Sequence, residues 1–160
     1  MHELYGDPEV RAAVVGRWGD EVAPGGVVDR QAVARRAFAA PDERAWLEQL
    51  IWPRVGARVA RWREQESARR PAPPALVVET PLLFEAGLEA GYDVTIAVVA
   101  DDAVRAERAA ARGHHAVDER TKRQLPQQEK AQRATYAVHN DGSIGELEQT
   151  LSSILGKLTP

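Results

Sequence analysis

The stretch from Leu76 to Glu85, Leu-Val-Val-Glu-Thr-Pro-Leu-Leu-Phe-Glu, constrains the fold more than any other part of the chain. Its apolar start is short and lies between prolines, which predicts a strand at 76–79 that is buried on both faces. Pro81 lacks the N–H that a sheet ladder needs, so the strand should end just before it. Ligands of parallel α/β sheets bind outside the carboxyl ends of the strands. The residues from Glu79 onward are therefore candidates for a binding site, and a strand that enters a helix with nothing bound is the alternative.

Two further segments predict strands of the same sheet. Asp93 to Ala100 is an apolar run and predicts the clearest strand, and Tyr136 to His139 predicts a short third strand. Helices are predicted over 101–112, over a very polar 118–135, and over 144–158. Strands that alternate with helices are typical of a parallel α/β sheet.

The first 68 residues predict helices only, since capping residues and apolar stripes recur along them. The predicted helices run over 8–18, from Asp29 onward, and from Pro41 to about Ala68, with Pro53 kinking or restarting the last of them. A proline-rich connector at 69–74 is the candidate boundary. We therefore expect a helical module at 1–70, followed by an α/β region at 71–160.

Composition excludes several classes of protein. The net charge of −3 and the pI of about 5.8 give no nucleic-acid footprint. The chain contains no cysteine, so it has no disulfide framework and no thiolate metal site. No apolar run approaches the ~20 residues of a membrane span, and the first residues are no signal peptide. We expect a cytoplasmic protein with no nucleic-acid or membrane partner, either a monomer or a weak homo-oligomer.

Arginines are concentrated between about 105 and 135. They are Arg105, Arg108, Arg112, Arg120, Arg123 and Arg133. Guanidinium groups form paired hydrogen bonds with phosphate oxygens, so an arginine-rich segment after a buried strand suits the lid of a phosphoryl-transfer enzyme. The alternative is an ordinary solvated surface, because acidic residues are interspersed and could pair with these arginines.

Other polar residues carry weaker signals. Glu79, at a predicted strand end, could hold a Mg²⁺-bound water, since hard cations prefer oxygen ligands. His114 and His115 are adjacent and have no third ligand near them in the sequence, which favours a surface loop over a zinc site. The four tryptophans stand at helical spacings, which favours the core over a base-stacking surface.

Several motifs together resemble one known family. Val77 to Glu85, followed by Tyr92 to Val98, closely resembles the middle of dephospho-CoA kinase, the last enzyme of coenzyme A synthesis. The resemblance covers nearly the whole chain, and its further segments are Trp18 to Val22, Val28 to Arg30, Ala37-Phe38, Arg108 to Gly113, Arg123 to Lys130 and Asn140 to Gly142.

The resemblance implies a P-loop-kinase-like α/β fold with a helical CoA-binding module. It also implies that ATP and Mg²⁺ are used to phosphorylate the 3′-hydroxyl of dephospho-CoA. The implied catalytic residues are Arg112 and Arg123, with Glu79 at the metal. The implied substrate-binding residues are Arg30, Arg35, Leu82, Leu83, Phe84 and Glu85. The implied nucleotide-binding residues are Arg108, Asn140 and Gly142.

One departure from the family concerns the phosphate-binding loop. The family begins with a strand and a Gly-x-x-x-x-Gly-Lys-[Ser/Thr] loop, and the 160 residues contain no such motif. We therefore expect an incomplete reading of a full kinase, in which these residues alone do not catalyse transfer. A non-catalytic CoA- or nucleotide-binding remnant and a helical interaction protein are the alternatives. We also expect a gap, or a substituted pairing, between the strands at 76–79 and 94–99.

Overall fold

A computed structural model describes residues 2–111 and 124–159 of the chain, which divides into two compact units, Met1–Pro73 and Pro74–Pro160. The first unit contains the helices α1 (Pro8–Trp18), α2 (Arg30–Ala37) and α3 (Pro41–Ser67). The second contains, in chain order, β1 (Ile96–Val99), α4 (Asp102–Ala111), α5 (Gln127–Arg133), β2 (Tyr136–His139) and α6 (Ile144–Leu158). Within these described ranges, no helix is both long and apolar enough to cross a membrane.

The helices of the first unit begin where their capping residues predict. The Asp7 carboxylate accepts a hydrogen bond from the backbone N–H of Glu9 at 2.8 Å, and Asp29 accepts one from the N–H of Gln31 at the same distance. α1 ends at Gly19, whose φ of 86° lies in the left-handed region that favours glycine. The predictions for these two helices are confirmed. α3 runs through Pro53 as one continuous element, so no restart occurs there.

The first unit is built around apolar packing between its helices. One buried cluster contains Val14, Val22, Ala23, Val28, Ala32 and Val33, and a second contains Leu4, Val10 and Ile51. The rings of Trp18 and Trp46 meet edge to face, with their centroids 5.0 Å apart. The prediction that the tryptophans belong to the core is wrong for Trp52, whose exposed fraction is 47%.

The sheet of the second unit is a parallel pair. β1 pairs with β2 from Ile96 opposite Tyr136 to Val99 opposite His139. Just before the pair, Thr95 and Thr135 exchange hydrogen bonds, each backbone N–H donating to the other residue's hydroxyl oxygen at 3.1 and 3.0 Å. The predicted third strand and its parallel pairing are confirmed.

The predicted strand at 76–79 is wrong. These residues lie outside any ladder, and the side chain of Val77 is 82% exposed. β1 is also not buried on both faces, because Val98 is 53% exposed while Val99 is buried. Among the described residues β1 pairs only with β2, and because 76–79 forms no strand, the expected gap between two strands stays a prediction. A strand needs a hydrogen-bonded neighbour to bury its backbone, and residues 76–79 pair with no strand in the described part of the chain.

The predicted helix over 118–135 is also wrong in its extent. Residues 124–126 are not helical, and α5 begins only after Pro126, which is its N-cap residue and has no N–H group to donate. The earlier part of that prediction lies outside the described residues. The last helix is confirmed as α6, although its two end residues, Ile144 and Leu158, are 76% and 40% exposed and do not belong to the core.

Candidate functional site

A tight turn follows the extended segment and begins at Pro81. Backbone hydrogen bonds close it, from the N–H of Ala86 to the carbonyl oxygen of Leu82 at 3.0 Å and from Leu88 to Leu83 at the same distance. Leu82 and Leu83 are half-buried. Phe84 is only 6% exposed. The turn therefore presents two leucine side chains on a fixed backbone.

Helix α5 holds this turn through Lys130. The Lys130 ammonium donates to the carbonyl oxygen of Pro81 at 3.0 Å and pairs with Oε1 of Glu85 at 2.9 Å. The same carboxylate oxygen accepts a hydrogen bond from the backbone N–H of Leu125 at 2.7 Å. Since the side chains of Lys130 and Glu85 are only 17% and 13% exposed, solvent screens this pair weakly. One cation thus binds both the beginning and the end of the turn.

Arg133 provides a second attachment, one helical turn further along α5. Its guanidinium donates to the carbonyl oxygen of Phe84 at 3.2 Å and pairs with the Glu89 carboxylate. The same group lies over the Phe84 ring, with Cζ 5.1 Å from the ring centroid, which is a cation–π contact. Lys130 and Arg133 therefore hold the turn from one face of α5.

The electrostatic environment keeps Glu85 ionised. Burial raises the pKa of its carboxyl, but hydrogen bonds from Lys130 and from backbone N–H groups outweigh burial and hold that pKa below its ordinary value. The pKa of Glu89 is lowered by its backbone hydrogen bond and by Arg133. Both carboxylates are therefore charged near neutral pH and can hold their cationic partners.

A cavity of about 690 Å³ opens at the carboxyl ends of β1 and β2. The side-chain amide of Gln127 fixes one wall, because it accepts from the backbone N–H of Ala100 and donates to the Ala100 carbonyl, both at 3.0 Å. The polar residues that line the cavity include Asp101, Asp102, Arg105, Gln127, Gln132 and His139. This is the edge at which parallel sheets bind ligands.

The structure brings the three predicted nucleotide-binding residues together. The Arg108 guanidinium donates to the carbonyl oxygens of Asn140 at 2.5 Å and of Gly142 at 2.9 Å. An added Cβ at Gly142 would lie 2.2 Å from the carboxylate of Glu146, which caps α6 together with Ser143. A side chain at position 142 would therefore displace the Glu146 carboxylate from its capping position.

The remaining predicted site residues are exposed or lie outside the described part of the chain. Glu79 is exposed at the end of the extended segment, and the described residues contain no group of three or more His, Asp or Glu side chains that could hold a metal. Arg30 and Arg35 are exposed on α2, and five residues of helix turn them about 140° away from each other. Arg112 and Arg123 lie outside the described residues, as do His114 and His115.

Several residues with central roles at this site were not predicted from the sequence. They are Thr95, Gln127, Lys130 and Thr135, whereas Arg133 was predicted as one of the phosphate-binding arginines and its contacts in the described structure are with Phe84 and Glu89. Lys130 and Arg133 stand three residues apart on a helix, and that spacing could have indicated a shared face. The partners of Thr95, Thr135 and Gln127 have no signal in the sequence, since 40 and 27 residues separate the bonded groups.

The parallel strands, the flanking helices and the loops at the carboxyl ends of the strands are consistent with a P-loop-kinase-like α/β protein, as is a likeness to a solved structure. A crystal structure of a protein from Thermus thermophilus superposes with a TM-score of 0.70 at 30% sequence identity, over 95% of this chain and 82% of that one. Residues 5–146 match the family model of dephospho-CoA kinase.

Curated relatives agree with the family match. A dephospho-CoA kinase from Deinococcus radiodurans is 39% identical over 140 residues, which are 86% of this chain and 67% of the relative. One from Thermus thermophilus is 36% identical over 87% of this chain and 68% of its own, and one from Chlorobaculum tepidum is 36% identical over 95% and 76%. The chain belongs to the dephospho-CoA kinase family, a family of phosphotransferases in coenzyme A biosynthesis.

Proposed function

We propose that this protein takes part in phosphorylating dephospho-CoA. In this reaction the 3′-hydroxyl oxygen of the acceptor ribose bonds to the γ-phosphorus of ATP, the bond between the γ-phosphorus and the β,γ-bridging oxygen breaks, and ADP and the hydroxyl proton leave. The observation that carries the proposal is the turn that begins at Pro81. Lys130 of α5 fixes this turn, because it binds both the Pro81 carbonyl and the Glu85 carboxylate. A fixed acceptor site favours transfer, because a kinase works mainly by positioning its reactants.

The acceptor is proposed to lie against Leu82, Leu83 and Phe84. In the described part of the chain, no backbone hydrogen bond uses the N–H group of any of these three residues. The N–H groups are therefore available as donors to acceptor oxygens, and the half-buried leucines offer apolar contact. Arg30 and Arg35 of the helical unit are proposed to bind CoA phosphates, which is supported by their exposure and by the lack of any ion pair to them among the described residues.

The nucleotide is proposed to lie near Arg108, Asn140 and Gly142. Two N–H groups of the Arg108 guanidinium hold the loop carbonyls, and an arginine has five N–H donors, so others stay available for a ligand. Arg112 and Arg123 are proposed as the cations that stabilise charge on the transferring phosphoryl group, on the strength of the family resemblance. ATP is then the phosphoryl donor.

Magnesium is proposed to be held partly by Glu79. The fit rests on donor chemistry, since Mg²⁺ uses one or two carboxylates together with waters and substrate phosphates rather than an all-protein cage. Glu79 supplies an exposed carboxylate and needs no further acidic neighbour for such a role. When bound, Mg²⁺ would neutralise phosphate charge.

The test is to incubate the protein with Mg²⁺-ATP and dephospho-CoA and to measure CoA and ADP by mass spectrometry. Because the 160 residues contain no phosphate-binding loop, the proposal expects them to bind dephospho-CoA without forming product, and it expects both products in equal amounts from a chain that also carries such a loop. Binding of dephospho-CoA without product by that longer chain would favour the non-catalytic binding alternative. A folded protein that neither binds dephospho-CoA nor forms product would contradict the proposal and favour the interaction-protein alternative.

Two arginines of α2 offer a matched pair of variants for the same test. Arg35→Met removes a guanidinium that no described contact occupies and should weaken dephospho-CoA binding about tenfold, the loss of one charge-assisted contact. Arg36→Met serves as the control, because Arg36 already pairs with Glu21 on the protein surface. Equal affinities in the two variants would remove Arg35 from the proposed site.

A further inference from the structure

The pair formed by Lys130 and Glu85 is more strongly enclosed than the other ion pairs of the second unit among the described residues. The side chains of its two members are 17% and 13% exposed, whereas those of Arg133 and Glu89 are 37% and 32% exposed. Both members also bind backbone groups, Lys130 the Pro81 carbonyl and Glu85 the Leu125 N–H. An enclosed pair with these extra hydrogen bonds fixes backbone geometry far better than an exposed pair does.

One oxygen of the Glu85 carboxylate is engaged inside the protein and the other is shielded from solvent. Its Oε1 accepts from the N–H of Leu125 at 2.7 Å and pairs with Lys130 at 2.9 Å, whereas its Oε2 is buried with no hydrogen-bond partner among the described residues. A free carboxylate would also repel the phosphates of a nucleotide-like acceptor, and the Lys130 ammonium cancels that charge. This geometry does not suit direct contact between Glu85 and substrate, the role that the family resemblance implies.

The same pair sets the backbone between its two attachment points. Lys130 binds the carbonyl of Pro81 at one end of the turn and the side chain of Glu85 at the other, and Leu82 to Phe84 lie between them. If the ammonium is removed, the Pro81 carbonyl loses a donor and the Glu85 carboxylate loses its counter-charge. The backbone of Leu82 to Phe84 would then be held less firmly, by the Arg133 contact with the Phe84 carbonyl and by the turn's own hydrogen bonds alone.

We propose that Lys130 and Glu85 are positioning residues for the acceptor site, which hold the backbone of Leu82 to Phe84 and do not themselves touch the substrate. This inference rests on the proposed function and deepens it. It predicts that breaking the pair weakens acceptor binding selectively. Nucleotide binding is assigned to Arg108, Asn140 and Gly142, none of which contacts the pair in the described structure.

The experiment measures the affinities for dephospho-CoA and for ATP by calorimetry in the wild type and in four variants. Lys130→Met keeps the aliphatic stem and removes the charge, and should weaken dephospho-CoA binding about tenfold, as misplaced positioning groups do. Lys130→Arg keeps a cation and should restore most of that loss. Glu85→Gln keeps the shape and should weaken binding less than Lys130→Met. Lys157→Met, at the exposed end of α6, should bind like the wild type.

The outcomes separate the inference from the proposed function. A wild type that binds dephospho-CoA, with a selective loss in Lys130→Met and recovery in Lys130→Arg, supports the pair as a positioning device. Wild-type affinity in Lys130→Met, or an equal loss for both ligands, contradicts the inference and leaves the proposed function standing. If Lys130→Met fails to fold, the decision passes to Glu85→Gln, and unchanged affinity there contradicts the inference. A wild type that binds no dephospho-CoA contradicts both.

Discussion

The two units of the molecule differ in the kind of interaction that stabilises each of them internally. Among the described residues, the largest fully buried side chains are Val10, Val14, Val22 and Val33 in the first unit, and Val138 alone in the second. The first unit also has polar contacts, such as those of Arg17 and Trp18 with the Glu43 carboxylate, but in the second unit polar side chains supply several of the links between distant segments. They are the exchange between Thr95 and Thr135, the amide of Gln127, the guanidinium groups of Arg108 and Arg133, and the pair formed by Lys130 and Glu85.

The difference indicates which kinds of substitution each unit can tolerate. Apolar packing is non-directional, so the helical unit gains stability from many interchangeable contacts. Hydrogen bonds and ion pairs depend on direction and on protonation, so the α/β unit depends on a few groups that cannot be exchanged. The unit that carries most of the proposed site is therefore the one that depends on specific polar contacts.

The largest expected effect is a loss of stability when one buried valine in each unit is replaced by alanine. Val33 and Val138 are each 1% exposed, yet Val33 packs within an apolar cluster, whereas the residue opposite Val138 on β1, Val98, is itself half exposed. Val33→Ala should cost about 2.5 kcal/mol and Val138→Ala about 1.5 kcal/mol, because a site with apolar neighbours on every side leaves the larger cavity.

Separate probes can follow the two units in this comparison. All four tryptophans precede Pro73, so urea unfolding followed by tryptophan fluorescence reports on the first unit. Hydrogen exchange of the amides of β1 and β2 reports on the second. Equal losses for the two alanine variants would mean that the two cores are packed alike, which would contradict the comparison.

The next largest effect concerns the threonine exchange. Thr135→Val leaves the buried Thr95 without the hydroxyl acceptor for its backbone N–H, and should destabilise the second unit by about 1.5 kcal/mol. Thr150→Val removes only an exposed bond from its hydroxyl to the carbonyl of Glu146 and is the control. Faster exchange at the amide of Tyr136, with no change in tryptophan fluorescence, is the expected result. Similar behaviour of both variants would argue against a structural role for the exchange.

A smaller effect is expected at the loop that precedes α6. Gly142→Ala would push a methyl group against the Glu146 carboxylate and disrupt the capping of α6 by Ser143 and Glu146. Helix α6 should fray at its first turn, and its amides should exchange faster than in the wild type. Gly156→Ala is the control, because an added Cβ meets no atom there. Unchanged exchange in Gly142→Ala would show that the side chain of Glu146 simply moves aside.

The smallest expected effect is a difference in acid stability between the two units, which appears only at low pH. In the second unit, hydrogen bonds to Glu85, Glu89 and Glu146 lower the pKa of each carboxyl below its ordinary value of 4.5. In the first unit, Glu43 is the one described carboxyl whose pKa is clearly lowered. A lowered pKa adds stability that is present above 4.5 and is lost as the pH falls through the folded-state pKa. The second unit should therefore lose amide protection more steeply than the first below pH 4.5. Parallel losses would contradict the contrast.

The sequence allowed the helical unit to be predicted better than the α/β unit. Asp7, Asp29 and Gly19 act locally, so each helix boundary could be inferred from adjacent residues. The contacts of Lys130 and Arg133 with the turn join residues up to 49 positions apart, and no local pattern encodes them. The strand predicted at 76–79 failed for the same reason, since strand formation depends on a neighbour that the segment itself cannot specify.

The candidate site was only partly predictable. Arg108, Asn140 and Gly142 were placed together through the family resemblance, and the structure joins them through backbone carbonyls. The role of Glu85 at the acceptor stays a prediction, and its contacts with Lys130 and the N–H of Leu125 could not be inferred from the sequence. Side-chain direction and pairing decide such roles, and both appear only once the chain is folded.

The measurement that tests the central claim most directly is hydrogen exchange of the turn with and without dephospho-CoA. The amides of Leu82, Leu83 and Phe84 have no backbone acceptor in the described structure, so they should exchange quickly in the free protein. The account predicts that dephospho-CoA slows exchange at these three amides and leaves the amides of α6 unchanged. Rapid exchange at all three when dephospho-CoA is saturating would contradict the placement of the acceptor at this turn.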